Sequence, residues 1–280
     1  MRLIDEQINS YKKNGFLFLP SYFSELEVEI MKSQVPTVFA EDTPERVVEK
    51  DGALVRSVYG SHQKNEVFRR LSRHPRIIDP VKKALGSDVY VYQFKINAKV
   101  AFAGDVWEWH QDYIYWLRED GMPAPRVVNA FIFLDEVNEF NGPLFLIPGS
   151  HAEGVIDVRE LDIDAMRRED MSEPYHERPS WIFNLTAKLK YALDCHDVAR
   201  LVRQYGIIAP KGPSGSLLLV HPNIVHASPN NISPFDRTLV IITYNSVDNV
   251  PASSSQARPE FLVSRACEPV ESLPDNALFI

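Results

Sequence analysis

Cysteine is scarce in this chain, with two residues, Cys195 and Cys267, among 280. Two thiols so far apart cannot build a disulfide framework, and neither has metal-ligand spacing to another cysteine. Cys195 is expected as a buried or half-buried thiol packing like a small hydrophobe. Long apolar runs are also missing, since none approaches the roughly 20 residues that cross a bilayer. The opening stretch MRLIDEQINSYKKNG has neither the apolar segment nor the small-residue cleavage site of a signal peptide. There is no basic stripe, because 30 Lys and Arg are scattered against 38 Asp and Glu for a net charge of −8. That balance argues against a nucleic-acid partner. The expectation is a soluble protein of a reducing cytoplasm with no membrane or nucleic-acid partner. Nothing in the sequence signals an oligomeric state.

What is present is material for one full hydrophobic core: 45% apolar residues, including 15 Phe, 11 Tyr and 4 Trp. Residues 1–87 read as mainly helical. Helices are expected over Asp5–Lys13, from a Ser24/Glu27 capping box to about Phe39, over Asn65–Leu71 and over Pro75–Leu85, with the short apolar run FLFLP after Gly15. From residue 88 the texture changes. Val89–Ala98, Val106–Gln111, Arg126–Leu134, Leu144–Ile147, Gly215–His221 and Thr238–Asn245 are short, β-branched or aromatic, and bounded by Gly, Pro or Asn. Many short strands after a helical start predict an antiparallel double-stranded β-helix, a cupin-like jelly roll with flanking helices. A single domain, 1–280, is expected, with core segments 88–158 and 206–247 and a C-terminal extension over 248–280. The polar stretch 159–205, with a helix over His196–Tyr205, reads as an insertion or lid.

Two segments carry chemistry. In WEWHQDYIYW, His110 and Asp112 stand two apart, and in a strand they share a face. Further on, SLLLVHPNIVHASPNN offers His221 and His226, followed by Arg237. One imidazole joining His110 and Asp112 makes a two-His-one-carboxylate set, which suits Fe(II) and leaves positions open. A structural zinc site would call for a fourth ligand, usually a thiolate, and no cysteine lies near either segment. If the intervening chain is extended, His221 and His226 face opposite sides, because five is odd, so both should not belong to the set. An Arg beyond the last His is what an anionic co-substrate needs, because a guanidinium forks onto a carboxylate.

Six ordered blocks, YQFKIN, WHQDYIYW, EDGMPAPR, NGPLFLIPGSH, GPSGS and VHASPNNISPFDR, resemble the phytanoyl-CoA dioxygenase-like Fe(II)/2-oxoglutarate oxygenases. Within that family the chain is most similar to the ectoine hydroxylase and free-amino-acid hydroxylase branch. The likeness covers roughly residues 88–151 and 206–247. The family pattern places Ser two and Arg eleven residues after the distal His, which fits His226, Ser228 and Arg237 but not His221. The resemblance therefore implies Fe(II) held by His110, Asp112 and His226. It implies 2-oxoglutarate bound through Arg237 with Ser228, Asn97 and Phe131 beside it, and O2 as the other co-substrate. On the substrate side it implies Gln93, Lys95 and Trp116. Its activity would be hydroxylation of an aliphatic carbon, with release of succinate and CO2. Halogenating relatives lack the carboxylate ligand, and Asp112 is present. Lys95 stands where the ectoine enzymes carry Arg, and Ile241 where they carry an aromatic residue, which argues against ectoine itself, while Gln93, Lys95 and Trp116 together suggest a small polar substrate, amino-acid-like or a natural-product precursor, rather than a long acyl-CoA.

The remaining candidates read as structural. His151 should close a turn or bond backbone, and His62, His74, His176 and His196 should lie at the surface. Glu119–Pro123 should be a solvated turn, and Asn141–Pro143 a tight turn with Gly142 at positive φ. Two other functional classes stay open from sequence alone. One is a metal-dependent hydrolase or isomerase on a cupin-like barrel, and the other a non-catalytic small-molecule binding protein.

Overall fold

Helix α1 (Asp5–Asn14) carries Asp5 and Glu6 in its first turn and Lys12 and Lys13 in its last, matching the helix dipole. It runs into strand β1 (Phe16–Leu19). Helix α2 (Glu25–Ala40) starts at the expected capping box, where Ser24 Oγ accepts from Glu27 N while Glu27 accepts from Ser24 N at 2.8 Å. In the computed structural model, residues 4–49, 52–158, 189–252 and 258–280 are described. A hairpin that the sequence did not announce follows, β2 (Arg46–Val48) with β3 (Val55–Tyr59). Helices α3 (Ser61–Lys64), α4 (Glu66–Leu71) and α5 (Pro75–Leu85) complete the N-terminal part.

The remaining elements are β4 (Val89–Lys99), β5 (Trp107–His110), α6 (Tyr113–Asp120), β6 (Val127–Phe133), β7 (Phe145–Leu146), α7 (Cys195–Tyr205), β8 (Leu217–Val220), β9 (His226–Ser228) and β10 (Arg237–Ser246). They build two antiparallel sheets. The larger has the order β1-β8-β6-β10-β4-β3-β2, and the smaller has the order β5-β9-β7. This is the double-stranded β-helix expected from the strand pattern.

Strand alternation decides which residues meet. Val240, Ile242 and Tyr244 of β10 join Phe94 and Ile96 of β4 and Val128, Ala130 and Ile132 of β6. This face packs on the helices through Met31, Phe68, Ile77, Ile78 and Val81. The opposite face sends Leu239, Ile241, Phe131 and Phe133 toward Leu144 and Leu146 at the smaller sheet. A one-residue slip would exchange the two sets, so burial of both faces pins the register. The polar row Gln93, Lys95, Asn97 and Lys99 of β4 therefore points inward, between the sheets.

Several expectations are corrected. Cys195 is exposed, because it opens α7 beside its N-cap Asp194. His74 is fully buried rather than at the surface. It caps α5 by accepting from Arg76 N, and the C-terminal segment covers it through Asp275 O at 3.1 Å. His62 is half-buried and stacks on Phe94 at 5.0 Å. His196 is exposed, as expected. His176 lies outside the described residues, as do positions 159–188 of the expected insertion. No helix among the described residues is long and apolar enough to cross a membrane.

Gly215, just before β8, joins the end of β6 to the loop between β1 and α2: its N–H donates to Phe133 O, and its carbonyl accepts from Tyr22 and Phe23. Its φ is +80°, and an added Cβ would stand 2.3 Å from Phe23 O. Gly215→Ala should lower stability by at least about 1 kcal/mol, measured as the thermal or denaturant midpoint against wild type.

Candidate metal centre

His110 is the last residue of β5 and His226 the first of β9, and the two are register partners across the smaller sheet. The strand stops at His110. Asp112 already has helical angles, φ −71° and ψ −38°, at the N-cap of α6. The shared-face expectation for positions i and i+2 therefore does not apply; the carboxylate reaches the histidines because the chain turns into a helix. Gln111 anchors that turn, donating to Gly154 O and Asn223 O and accepting from Ile156 N.

One donor atom from each of His110, Asp112 and His226 lies within 4.8 Å of the others. His110 Nδ1 stands 2.6 Å from Glu108 O, and His226 Nδ1 stands 3.1 Å from Ile224 O. A carbonyl accepts only, so both Nδ1 atoms carry hydrogen, and in the neutral ring that leaves the lone pair on Nε2. Those Nε2 atoms face Asp112 Oδ1 at 3.5 Å and Oδ2 at 3.8 Å. Burial pushes the Asp112 carboxyl up, but His226, His110 and Lys95 outweigh it and hold it well below the usual range. Burial, then His110, pushes the His226 imidazole down to about 4. The set is two imidazoles and one carboxylate with no thiolate, a donor set that fits Fe(II).

Arg237 is 2% exposed, and its Nε has no hydrogen-bond partner among the described residues. Burial and then the like charge of Arg56 push the guanidinium down to about 9, so it stays charged at neutral pH. An orphaned, buried cationic donor of this kind fits an incoming carboxylate. Asn97 Oδ1 accepts from Ser57 Oγ at 2.8 Å, which turns its Nδ2 into a cavity donor. Ser228 Oγ donates to Gly142 O at 2.9 Å, so contributing a donor beside Arg237 requires exchange of that bond. Gly142 takes the expected positive φ, +72°.

Gln93 donates through Nε2 to Leu262 O at 2.8 Å, which leaves Oε1 as an acceptor. Lys95 is partly exposed. Burial pushes its ammonium down, and Asp112 partly restores it. Trp116 packs edge-on against Tyr92 at 5.5 Å. All ten nominated residues, including Phe131, line one cavity.

His221 stays outside the cluster. The chain between it and His226 turns rather than extends, and its Nδ1 accepts from Asn223 N at 3.1 Å. The two histidines are therefore not joined by extended chain, and of the two His226 is the one beside His110 and Asp112. His151 bonds backbone, with Nε2 3.0 Å from Lys12 O.

The clearest miss is Arg258, which lines the same cavity and grips Asp120 through Nε and Nη2. Asp120 is not in a solvated turn. It ends α6, is 5% exposed and also accepts from the Tyr92 hydroxyl. No local pattern marks Arg258, because its partner is 138 residues away. Tyr115 and Trp107 were in view in the block around His110 and also line the cavity. Leu189, just beyond the undescribed stretch, lines it too and donates its N–H to Glu108.

The sequence profile of the phytanoyl-CoA dioxygenase (PhyH) family matches residues 11–239. The L-proline trans-4-hydroxylase of Streptomyces griseoviridis is 40% identical over 269 residues, 96% of this chain and 95% of that protein. The ectoine dioxygenase of Nocardia farcinica is 35% identical over 272 residues, covering 95% and 86%. Among solved structures, EctD from S. alaskensis with 2-oxoglutarate and 5-hydroxyectoine superimposes with a TM-score of 0.77 at 28% identity, covering 94% of this chain and 84% of that one. The same enzyme with bound Fe gives 0.78 at 28% identity, covering 97% and 87%.

His226→Ala should abolish tight Fe(II) binding in an anaerobic titration, whereas His221→Ala should retain it within a few-fold; the reverse ranking would contradict the geometry.

Proposed function

The chain belongs to the phytanoyl-CoA dioxygenase family and is an Fe(II)- and 2-oxoglutarate-dependent dioxygenase, and from that premise we propose that it hydroxylates a ring or chain carbon of a free L-amino acid, with L-proline the first candidate. His110, Asp112 and His226 hold the iron in this reading. Bound there, iron with 2-oxoglutarate and O2 supplies the oxidant that converts an aliphatic C–H into an alcohol, with release of succinate and CO2.

The chain's own residues bind, orient and shield. Arg237 takes the distal carboxylate of 2-oxoglutarate, and Asn97 adds a hydrogen bond from its Nδ2. Phe131, Leu239 and Ile241 wall that part of the cavity with apolar surface. No general base is required of the protein, so positioning and exclusion of water are its contribution.

The observation that carries the substrate assignment is a second cationic position on the same cavity. Lys95 precedes Lys99 by four residues on β4, and Lys99 is the register partner of Arg237, which separates the two positions by about 13 Å at strand rise. Arg258 lines the cavity as well, braced by Asp120. Lys95 and Arg258 therefore receive the substrate carboxylate, and Gln93 Oε1 accepts from its ammonium. Trp116 and Tyr115 supply the apolar wall for the carbon skeleton. The charged groups Lys95, Arg237 and Arg258 on one cavity, with Gln93 and Asn97 beside them, suit 2-oxoglutarate plus an amino acid and are a poor fit to a long acyl-CoA. A reducing cytoplasm is the proposed compartment, a reading that the two free cysteines support.

Incubation with Fe(II), 2-oxoglutarate and a panel of free L-amino acids should yield succinate and a product heavier by one oxygen atom, with L-proline among the substrates. Consumption of 2-oxoglutarate without an oxygenated product from any free amino acid would overturn the assignment. Arg237→Ala should raise the KM for 2-oxoglutarate by about 10- to 100-fold with a smaller change in kcat.

A further inference from the structure

Asn129 lies on β6, 1% exposed, and takes no part in the roles assigned above. Its Nδ2 donates to Asp112 Oδ2 at 2.7 Å. Its Oδ1 accepts from Thr243 Oγ1, also at 2.7 Å. Thr243 is the register partner of Asn129 on β10 and is 2% exposed. The orientation of the amide follows from the partners. An ionised Asp112 can only accept, so the NH2 group must face it and the carbonyl must face the threonine hydroxyl. Reversing the amide would set oxygen against carboxylate and leave a buried repulsion in place of the hydrogen bond to Asp112.

The relay Thr243–Asn129–Asp112 runs from the middle of the larger sheet to the carboxylate between the two histidines. It occupies one lone pair of Oδ2 and leaves Oδ1, 3.5 Å from His110 Nε2, outside the relay. We infer that Asn129 is a positioning residue that ties down one oxygen of Asp112, so that the carboxylate is offered to iron through the other oxygen alone. Single-oxygen ligation by Asp112 would leave positions for a chelating co-substrate and O2. A carboxylate free to rotate could close on the metal with both oxygens and take one of those positions. The inference rests on the proposed ligand role of Asp112.

The test is an anaerobic Fe(II) titration of wild type, Asn129→Leu, Thr243→Val and Asp112→Ala, followed by 2-oxoglutarate addition with the visible charge-transfer band recorded. Removing a hydrogen bond to a ligating group commonly costs 10- to 100-fold in metal affinity. Asn129→Leu should weaken iron binding by about that factor and displace the band. Thr243→Val should move both in the same direction by less. Thermal unfolding of the metal-free proteins separates this from misfolding, and if Asn129→Leu does not fold, the near-isosteric Thr243→Val decides. Wild-type affinity and an unshifted band in the folded variants would overturn the inference. Full iron affinity in Asp112→Ala would instead overturn the ligand reading itself, whereas loss there with no effect in Asn129→Leu and Thr243→Val removes only the role of Asn129.

Discussion

A guanidinium buried without a carboxylate partner is costly, and Arg237 is one: it is 2% exposed, with an unpartnered Nε among the described residues. Its place is set by sheet register. Because β10 buries Val240, Ile242 and Tyr244 against the helices, Arg237, Leu239 and Ile241 face inward. Beside Arg237, Lys99 is also buried, its Nζ caged by the carbonyls of Asp105, Ser228 and Pro229, and burial with the Arg237 and Arg56 charges pushes the amine down to about 6. The inner face of the sheet thus keeps a buried positive charge at Arg237 in an otherwise acidic chain. A co-substrate carboxylate is the group that would answer that charge, and the helices behind the sheet supply the apolar burial that offsets keeping it in place.

The metal centre depends on the same framework from the other side. β5 and β9 bring His110 and His226 together by strand pairing, and two backbone carbonyls fix both rings in one tautomer. Asp112 arrives through a strand-to-helix turn and is held by a side chain from the larger sheet. Side-chain amides are oriented throughout: Ser57 turns Asn97 outward as a donor, Leu262 turns Gln93 outward as an acceptor, and Thr243 turns Asn129 onto Asp112. The Leu262 carbonyl and the Asp112 carboxylate can only accept, which fixes the Gln93 and Asn129 amides, so that part of the cavity's pattern of donors and acceptors exists before any ligand enters.

The sequence made His110, Asp112, His226 and Arg237 legible because their spacing is local or falls in ordered blocks, and the core strands because apolar alternation survives in short runs. What it hid depends on contacts between distant segments. Arg258 and Asp120 become a pair only when the C-terminal extension folds across α6, which is why Asp120 read as part of a solvated turn. His74 read as polar surface because nothing local announces that Asp275 will cover it. Cys195 went the other way, since a helix N-terminus exposes a residue type that usually packs inside. The turn after His221 defeated a parity argument that needed an extended chain.

The central claim is that one cavity holds iron on His110, Asp112 and His226 while Arg237 takes the far carboxylate of 2-oxoglutarate. An anaerobic crystal structure with Fe(II) and 2-oxoglutarate tests it most directly. The account predicts one metal ion at ligand distance from both Nε2 atoms and a single Asp112 oxygen, with the distal carboxylate forked on Arg237. Iron bound elsewhere, or 2-oxoglutarate held away from Arg237, would contradict it.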